Sequence, residues 1–150
     1  MRLHVPIALR WSDMDAYNHV NNARIFTLLE EARVRAFWVG EDSAATPLSS
    51  ADDHTLTLIA RQEIEYVRPI EYRAKPIDVQ LWCTHLGSAS CDVAYEIYDE
   101  AGEELYVRAL TTVVFVDAET QRPRRLRDDE RDAWQAYLGD APGFRRRPRG

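Results

Sequence analysis

From residue 56 to residue 116 the chain repeats one pattern, a strand-like run followed by a connection too short to hold a helix. The runs cover about 56–67, 77–86, 90–98 and 104–116, and the links between them read RPIEYRAKP, GSAS and DEAGE. A parallel neighbour needs a crossover of a dozen or more residues, so these strands are expected to run antiparallel. In the second and third runs Val79, Leu81 and Cys83, then Cys91, Val93, Tyr95 and Ile97, alternate with Asp78, Gln80, Asp92 and Glu96. Each of these strands therefore has one dry face and one wet face.

Ahead of this meander, residues 2–11 (RLHVPIALRW) mix β-branched and aromatic residues into another strand. Pro6 cannot donate to a ladder, which sends that strand to an edge or bends it. From Asn22 to about Val39 the period becomes helical, with Ile25, Leu28, Leu29, Ala32, Ala36 and Val39 in one stripe. Asn21 or Asn22 can cap the start, and Gly40 supplies the stop. Phe26, Val34, Phe37 and Trp38 fall outside the stripe. Apolar residues spread that widely fit a helix wrapped by a sheet or touching a second subunit. Residues 41–55 are small, polar and acidic and read as a surface loop. Residues 128–138 form a short amphipathic helix on Ala133, Trp134, Tyr137 and Leu138.

The order strand, long apolar helix, four strands, short helix implies an α+β fold in which one antiparallel sheet of about five strands packs on one main helix. Its 150 residues suit a single domain over 1–140, with 141–150 as a disordered basic tail. One helix leaves a sheet edge uncovered, so a homodimer is expected, with a tetramer left open. The formal net charge is −6 even though four arginines lie in the last six residues. Such an acidic body argues against a nucleic-acid partner. Two cysteines make no disulfide scaffold, and Cys83 and Cys91 read as reduced core thiols. No targeting signal and no membrane-length apolar run is visible, so the reading is a cytoplasmic protein with no membrane partner.

The stretch most loaded with chemistry is RWSDMDAYNHVNN, residues 10–22, between the first strand and the start of the long helix. A helix start offers unpaired N–H groups and a positive dipole end, which together stabilise an anion and can form an oxyanion hole. A carboxylate seven residues earlier can loop back toward a carbonyl held over those groups. Asp15 beside such an amide is the minimum equipment for transferring an acyl group to water.

The run D-M-D-A-Y-N-H-V-N-N followed by ARIFTLLEEAR resembles the hotdog-fold acyl thioesterases of the 4-hydroxybenzoyl-CoA thioesterase type. It is also similar to the plant acyl-ACP thioesterases, which carry a near-identical RWSD-x-D-x-x-x-HVNN run. The E-I-E-Y-V-R-P strand end, the G-S-A-S hairpin and VFVDAETQRPRRL fit the same layout. The resemblance implies a hotdog fold, a sheet wrapped around a central helix, and an acyl-CoA or acyl-ACP substrate. It implies Asp15 as the catalytic carboxylate and the backbone N–H of Asn22 as the oxyanion donor. His19 matches the motif histidine of the plant enzymes, whereas the 4-hydroxybenzoyl-CoA enzyme is apolar there. Tyr17 stands where the plant enzymes have a catalytic asparagine, which favours the simpler mechanism centred on Asp15. In this family the site lies between subunits, and Tyr17, Tyr66 and Arg68 are the candidates for substrate contact. No metal and no bound cofactor is expected, because no metal-ligand spacing or glycine-rich phosphate loop occurs.

Blander readings stand beside these. Asp13 and Asp15 are residue types that satisfy backbone N–H groups in turns, and Asp13 is read as structural. Glu30, the second choice of carboxylate, lies off the apolar stripe as a solvated or salt-bridged side chain would. Arg68, Arg73 and Lys75 share one connection and could meet a CoA nucleotide, or simply be a charged turn. The competing functions are a non-catalytic acyl-binding module and, because of D-M-D with Lys75 and Asp128-Asp129 downstream, a haloacid-dehalogenase-type phosphatase. The second of these requires parallel strands.

Overall fold

The computed structural model describes residues 1–38 and 54–145. The elements are β1 (Leu3–Ile7), a 3-10 turn (Trp11–Asp13), α1 (Asn22–Phe37), β2 (Thr55–Tyr66), β3 (Ile77–Leu86), β4 (Ser90–Tyr98), β5 (Leu105–Asp117) and α2 (Asp128–Gln135). The strands form one sheet in the order β1-β3-β4-β5-β2, with every neighbour antiparallel. The short connections dictate this, and it removes the phosphatase alternative.

β1 is shorter than the expected 2–11. Its partner begins at Ile77, opposite Ile7, so Ala8 onward has no ladder to join. Pro6 sits in this edge strand, as its missing N–H requires. Asn21 caps α1, its side-chain oxygen accepting from the Ala23 N–H at 2.9 Å. The helix runs to Phe37; Val39, Gly40 and nearly all of the expected 41–55 loop lie outside the described residues. α2 stops at Gln135 rather than 138 because the chain turns to pair with β3. The Cys83 N–H donates to the Tyr137 carbonyl, and the Gly139 N–H to the Cys83 carbonyl, both at 2.8 Å.

The core lies between α1 and one face of the sheet. Ile25, Leu28, Leu29 and Ala32 are buried against the inward row that includes Val79, Leu81, Val93, Tyr95, Ile97 and Val107. Phe37, outside the helical stripe, is covered by Trp134 of α2 and by Tyr137 just after it, with ring centroids 4.9 Å and 6.0 Å away. Arg33 is buried in this layer, its guanidinium donating to the Tyr95 hydroxyl at 2.9 Å. That bond offsets part of the cost of desolvating the charge. Cys83 and Cys91 are free and buried; Cys83 faces Val93 across the ladder and Cys91 faces Leu86. Burial pushes the Cys83 thiol up to about 11, which leaves it protonated and unreactive.

Candidate active site

The motif folds into a tight excursion between β1 and α1, pinned at both ends. Met14 and Val20 bridge antiparallel, the Asn21 N–H donates to the Asp13 carbonyl at 2.9 Å, and the Val20 N–H donates to the Ile70 carbonyl at 2.8 Å. Residues 14–20 thus close a small loop and are stitched to the chain leaving β2. Asn18 turns the loop with φ of 59°, a left-handed conformation that asparagine tolerates better than most residues.

Asp13 is fully buried. One carboxylate oxygen accepts from the Arg10 N–H at 2.9 Å and the other from the Arg10 guanidinium at 3.1 Å, with Arg24 at 3.8 Å. Burial raises its pKa, but the bonds from Arg10 and the charges of Arg10 and Arg24 outweigh that and hold the carboxyl below the usual range. Asp13 thus anchors the loop.

Asp15 is built differently. Its Oδ1 accepts from the Tyr17 N–H at 2.8 Å and from the His19 N–H at 3.3 Å, while its own N–H donates to the His19 carbonyl at 2.8 Å. The backbone fixes one oxygen and leaves Oδ2 without a protein partner among the described residues. The His19 ring and the Asn22 N–H likewise make no hydrogen bond there.

Asp15, His19, Asn22, Tyr66 and Arg68 line one cleft of about 300 Å³, whose remaining walls are Val20, Ile25, Val67, Pro69 and Ile70. Tyr17 does not line it: its side chain is 80% exposed. The apolar wall at Val67, Pro69 and Ile70 escaped sequence reasoning, because those residues sit in a connection with no periodicity to point them inward. Tyr66 donates its hydroxyl to the Asn22 carbonyl at 2.9 Å, tying the end of β2 to the first turn of α1. Burial pushes this phenol up, so it stays a donor.

The second-choice carboxylate, Glu30, is exposed and 3.9 Å from the Arg33 guanidinium, as a salt-bridged side chain would be. The basic connection is already paired: Arg68 with Glu104 at 3.5 Å, Lys75 with Glu100 at 3.7 Å, and Arg73 with Glu100 and the Tyr106 hydroxyl. Among the described residues no group of three or more His, Cys, Asp or Glu side chains is placed to hold a metal ion.

A family model described as the thioesterase-like superfamily matches residues 9–134. The chain belongs to that superfamily. The 10–22 loop, α1 and the meander all fall inside the matched span, and the architecture is the hotdog fold. The PA5185 protein of Pseudomonas aeruginosa is 25% identical, with 93% of this chain and 94% of that one covered and a TM-score of 0.78. A Xanthomonas campestris protein provisionally described as an acyl-CoA thioesterase is 32% identical, covering 83% of this chain and 98% of that one, TM-score 0.66. A Thermus thermophilus thioesterase complexed with coenzyme A and zinc is 26% identical, covering 89% and 92%, TM-score 0.70.

Proposed function

We propose that this protein is a thioester hydrolase that cleaves acyl-CoA to the free acid and CoA. The observation that carries the reading is a cleft lined by both Asp15 and Asn22, where among the described residues one Asp15 carboxylate oxygen and the Asn22 N–H at the helix start make no hydrogen bond. The thioester carbonyl oxygen would accept from that N–H, where the helix dipole also favours developing negative charge. Asp15 then acts by one of two routes. It attacks the carbonyl carbon, expelling the CoA thiolate and forming a mixed anhydride that water hydrolyses, or it takes a proton from the water that attacks. His19, whose ring makes no hydrogen bond among the described residues, is assigned the proton delivered to the leaving sulfur, which the attacking water replaces. Val20, Ile25, Val67 and Ile70 offer an apolar wall for the acyl group, and Tyr66 and Arg68 line the cleft on the β2 side. CoA as carrier is supported by the coenzyme A bound in the Thermus relative.

The working unit in this reading is a homodimer joined along β2. That strand is twelve residues long, pairs with β5 on one side, and leaves Leu56, Leu58 and Ile59 between 41% and 50% exposed. A long apolar edge is a template for a second copy, and β2 ends at Tyr66, on the cleft.

The test is thiol release from a panel of acyl-CoAs varied in length and aromaticity, with EDTA present, for the natural chain and Asp15→Asn. Turnover by the natural chain, with a fall of at least about a hundredfold in the variant and unchanged circular dichroism, is the expected result. Equal activity in both proteins would remove Asp15 from the mechanism. Inactivity of the natural chain on the whole panel would favour the acyl-binding module or an acyl-ACP substrate.

A further inference from the structure

The face of the sheet turned away from α1 carries two rows set by the strand register. One row is polar: His4, Gln80, Glu96, Arg108 and Glu65 lie opposite one another across all five strands. It is tied together by Arg108–Glu65 at 2.8 Å and Arg108–Glu96 at 3.9 Å, with Arg2–Glu96 at 2.5 Å. The next row runs Trp82, Ala94, Leu110 and Glu63, and three of its four members are apolar. An outward apolar row should be wet, yet Trp82 is 2% exposed and Ala94 fully buried.

What covers Trp82 is the segment after α2. Leu138 bridges Cys83 in parallel, Gly139 packs on the Trp82 ring, and the indole N–H donates to the Asp140 carbonyl at 2.7 Å. Arg2 stacks on the same ring at 3.8 Å. Pro142 is buried, Phe144 half-buried, and the Arg145 N–H donates to Glu65 at 2.8 Å. The segment therefore enters over β3 and leaves over β2. That crossing spans three strand spacings, about 14 Å, within reach of the five residue steps from Asp140 to Arg145 at about 3.3 Å each.

We propose that residues 138–145 are a strap that occupies the outer face of the sheet in place of a second copy of this chain. Without it, the flat Trp82–Ala94–Leu110 row is an apolar surface able to stack on its own copy. With it, Leu56, Leu58 and Ile59 on the open β2 edge remain exposed for self-association. The inference rests on the outer face alone and stands whether or not the cleft hydrolyses thioesters.

The test uses the full chain. A Cβ at position 139 would lie 2.9 Å from the Trp82 ring, so Gly139→Val forces the strap off it. Pro142→Asp with Phe144→Asp weakens the middle of the strap without touching Trp82. By sedimentation velocity the natural chain should keep one mass from micromolar to near-millimolar concentration. Both variants should at least double in mass over that range, with the sheet signature in circular dichroism retained. Adding Trp82→Glu to either should restore the natural mass, because a carboxylate cannot be buried in a stacked face without a partner. Unchanged mass in both variants overturns the proposal. So does a rise that Trp82→Glu fails to reverse, since association would then run through another surface.

Discussion

The two edges of the sheet are guarded in opposite ways. β1 is five residues long and contains Pro6, which has no N–H to offer, and the Pro6 carbonyl accepts from the Arg35 guanidinium at 3.0 Å. Its partner-seeking groups are blunted. β2 is twelve residues long and has Leu56, Leu58 and Ile59 exposed, and a register shift between Ile59 and Arg61 is its one irregularity. In the proposed homodimer the protected edge stays free and the edge with Leu56, Leu58 and Ile59 exposed joins the copy. The candidate cleft sits at that side, where Tyr66 closes β2 onto the start of α1.

The largest effect should come from charging the open edge. Leu58→Lys with Ile59→Lys should turn the dimer into a monomer by sedimentation and lower thiol release about a hundredfold, the scale of a misplaced site. A fully active monomer would break the comparison, because the site would then be complete in one chain.

Next comes Asp13, which anchors the loop leaving β1. Its carboxyl is held below the usual range, so its contribution is complete above about pH 4 and is lost as pH falls through its folded value. Asp13→Asn should cost about 2 kcal/mol at neutral pH in denaturant unfolding, by loss of charge-assisted hydrogen bonds. It should also flatten the acid limb of the stability curve, and an unchanged limb would remove Asp13 as the anchor.

Tyr66→Phe deletes the hydroxyl that joins β2 to the Asn22 carbonyl. The expected loss is about three- to tenfold in kcat with KM little changed, matching one hydrogen bond of about 1 kcal/mol. A rise in KM alone would instead mark Tyr66 as a binding contact. Smallest is Pro6→Val: stability should move by no more than about 0.5 kcal/mol and the mass not at all. Association of that variant would show that the proline, rather than strand length and Arg35, guards the β1 edge.

Much of this was legible in local pattern. Alternation in β3 and β4 and the short links between strands determined an antiparallel meander, and the amphipathic run from Asn22 determined the helix that packs on it. The motif located Asp15, His19 and Asn22 within eight residues of chain, and the turn at Asn18 brings them to one cleft. The strand order was decided by tertiary structure, because antiparallel pairing is compatible with several orders and only packing on α1 selects β1-β3-β4-β5-β2. The same holds for Tyr17, whose side chain points to solvent although it stands between motif residues, since a turn reverses direction from one residue to the next. It holds also for residues 141–145, a short APGFR run with no periodicity to read, which lie on the sheet because Trp82, some sixty residues away in the chain, gives the segment a surface to cover. Local periodicity is written in neighbouring residues, but which distant surfaces meet depends on the whole folded chain.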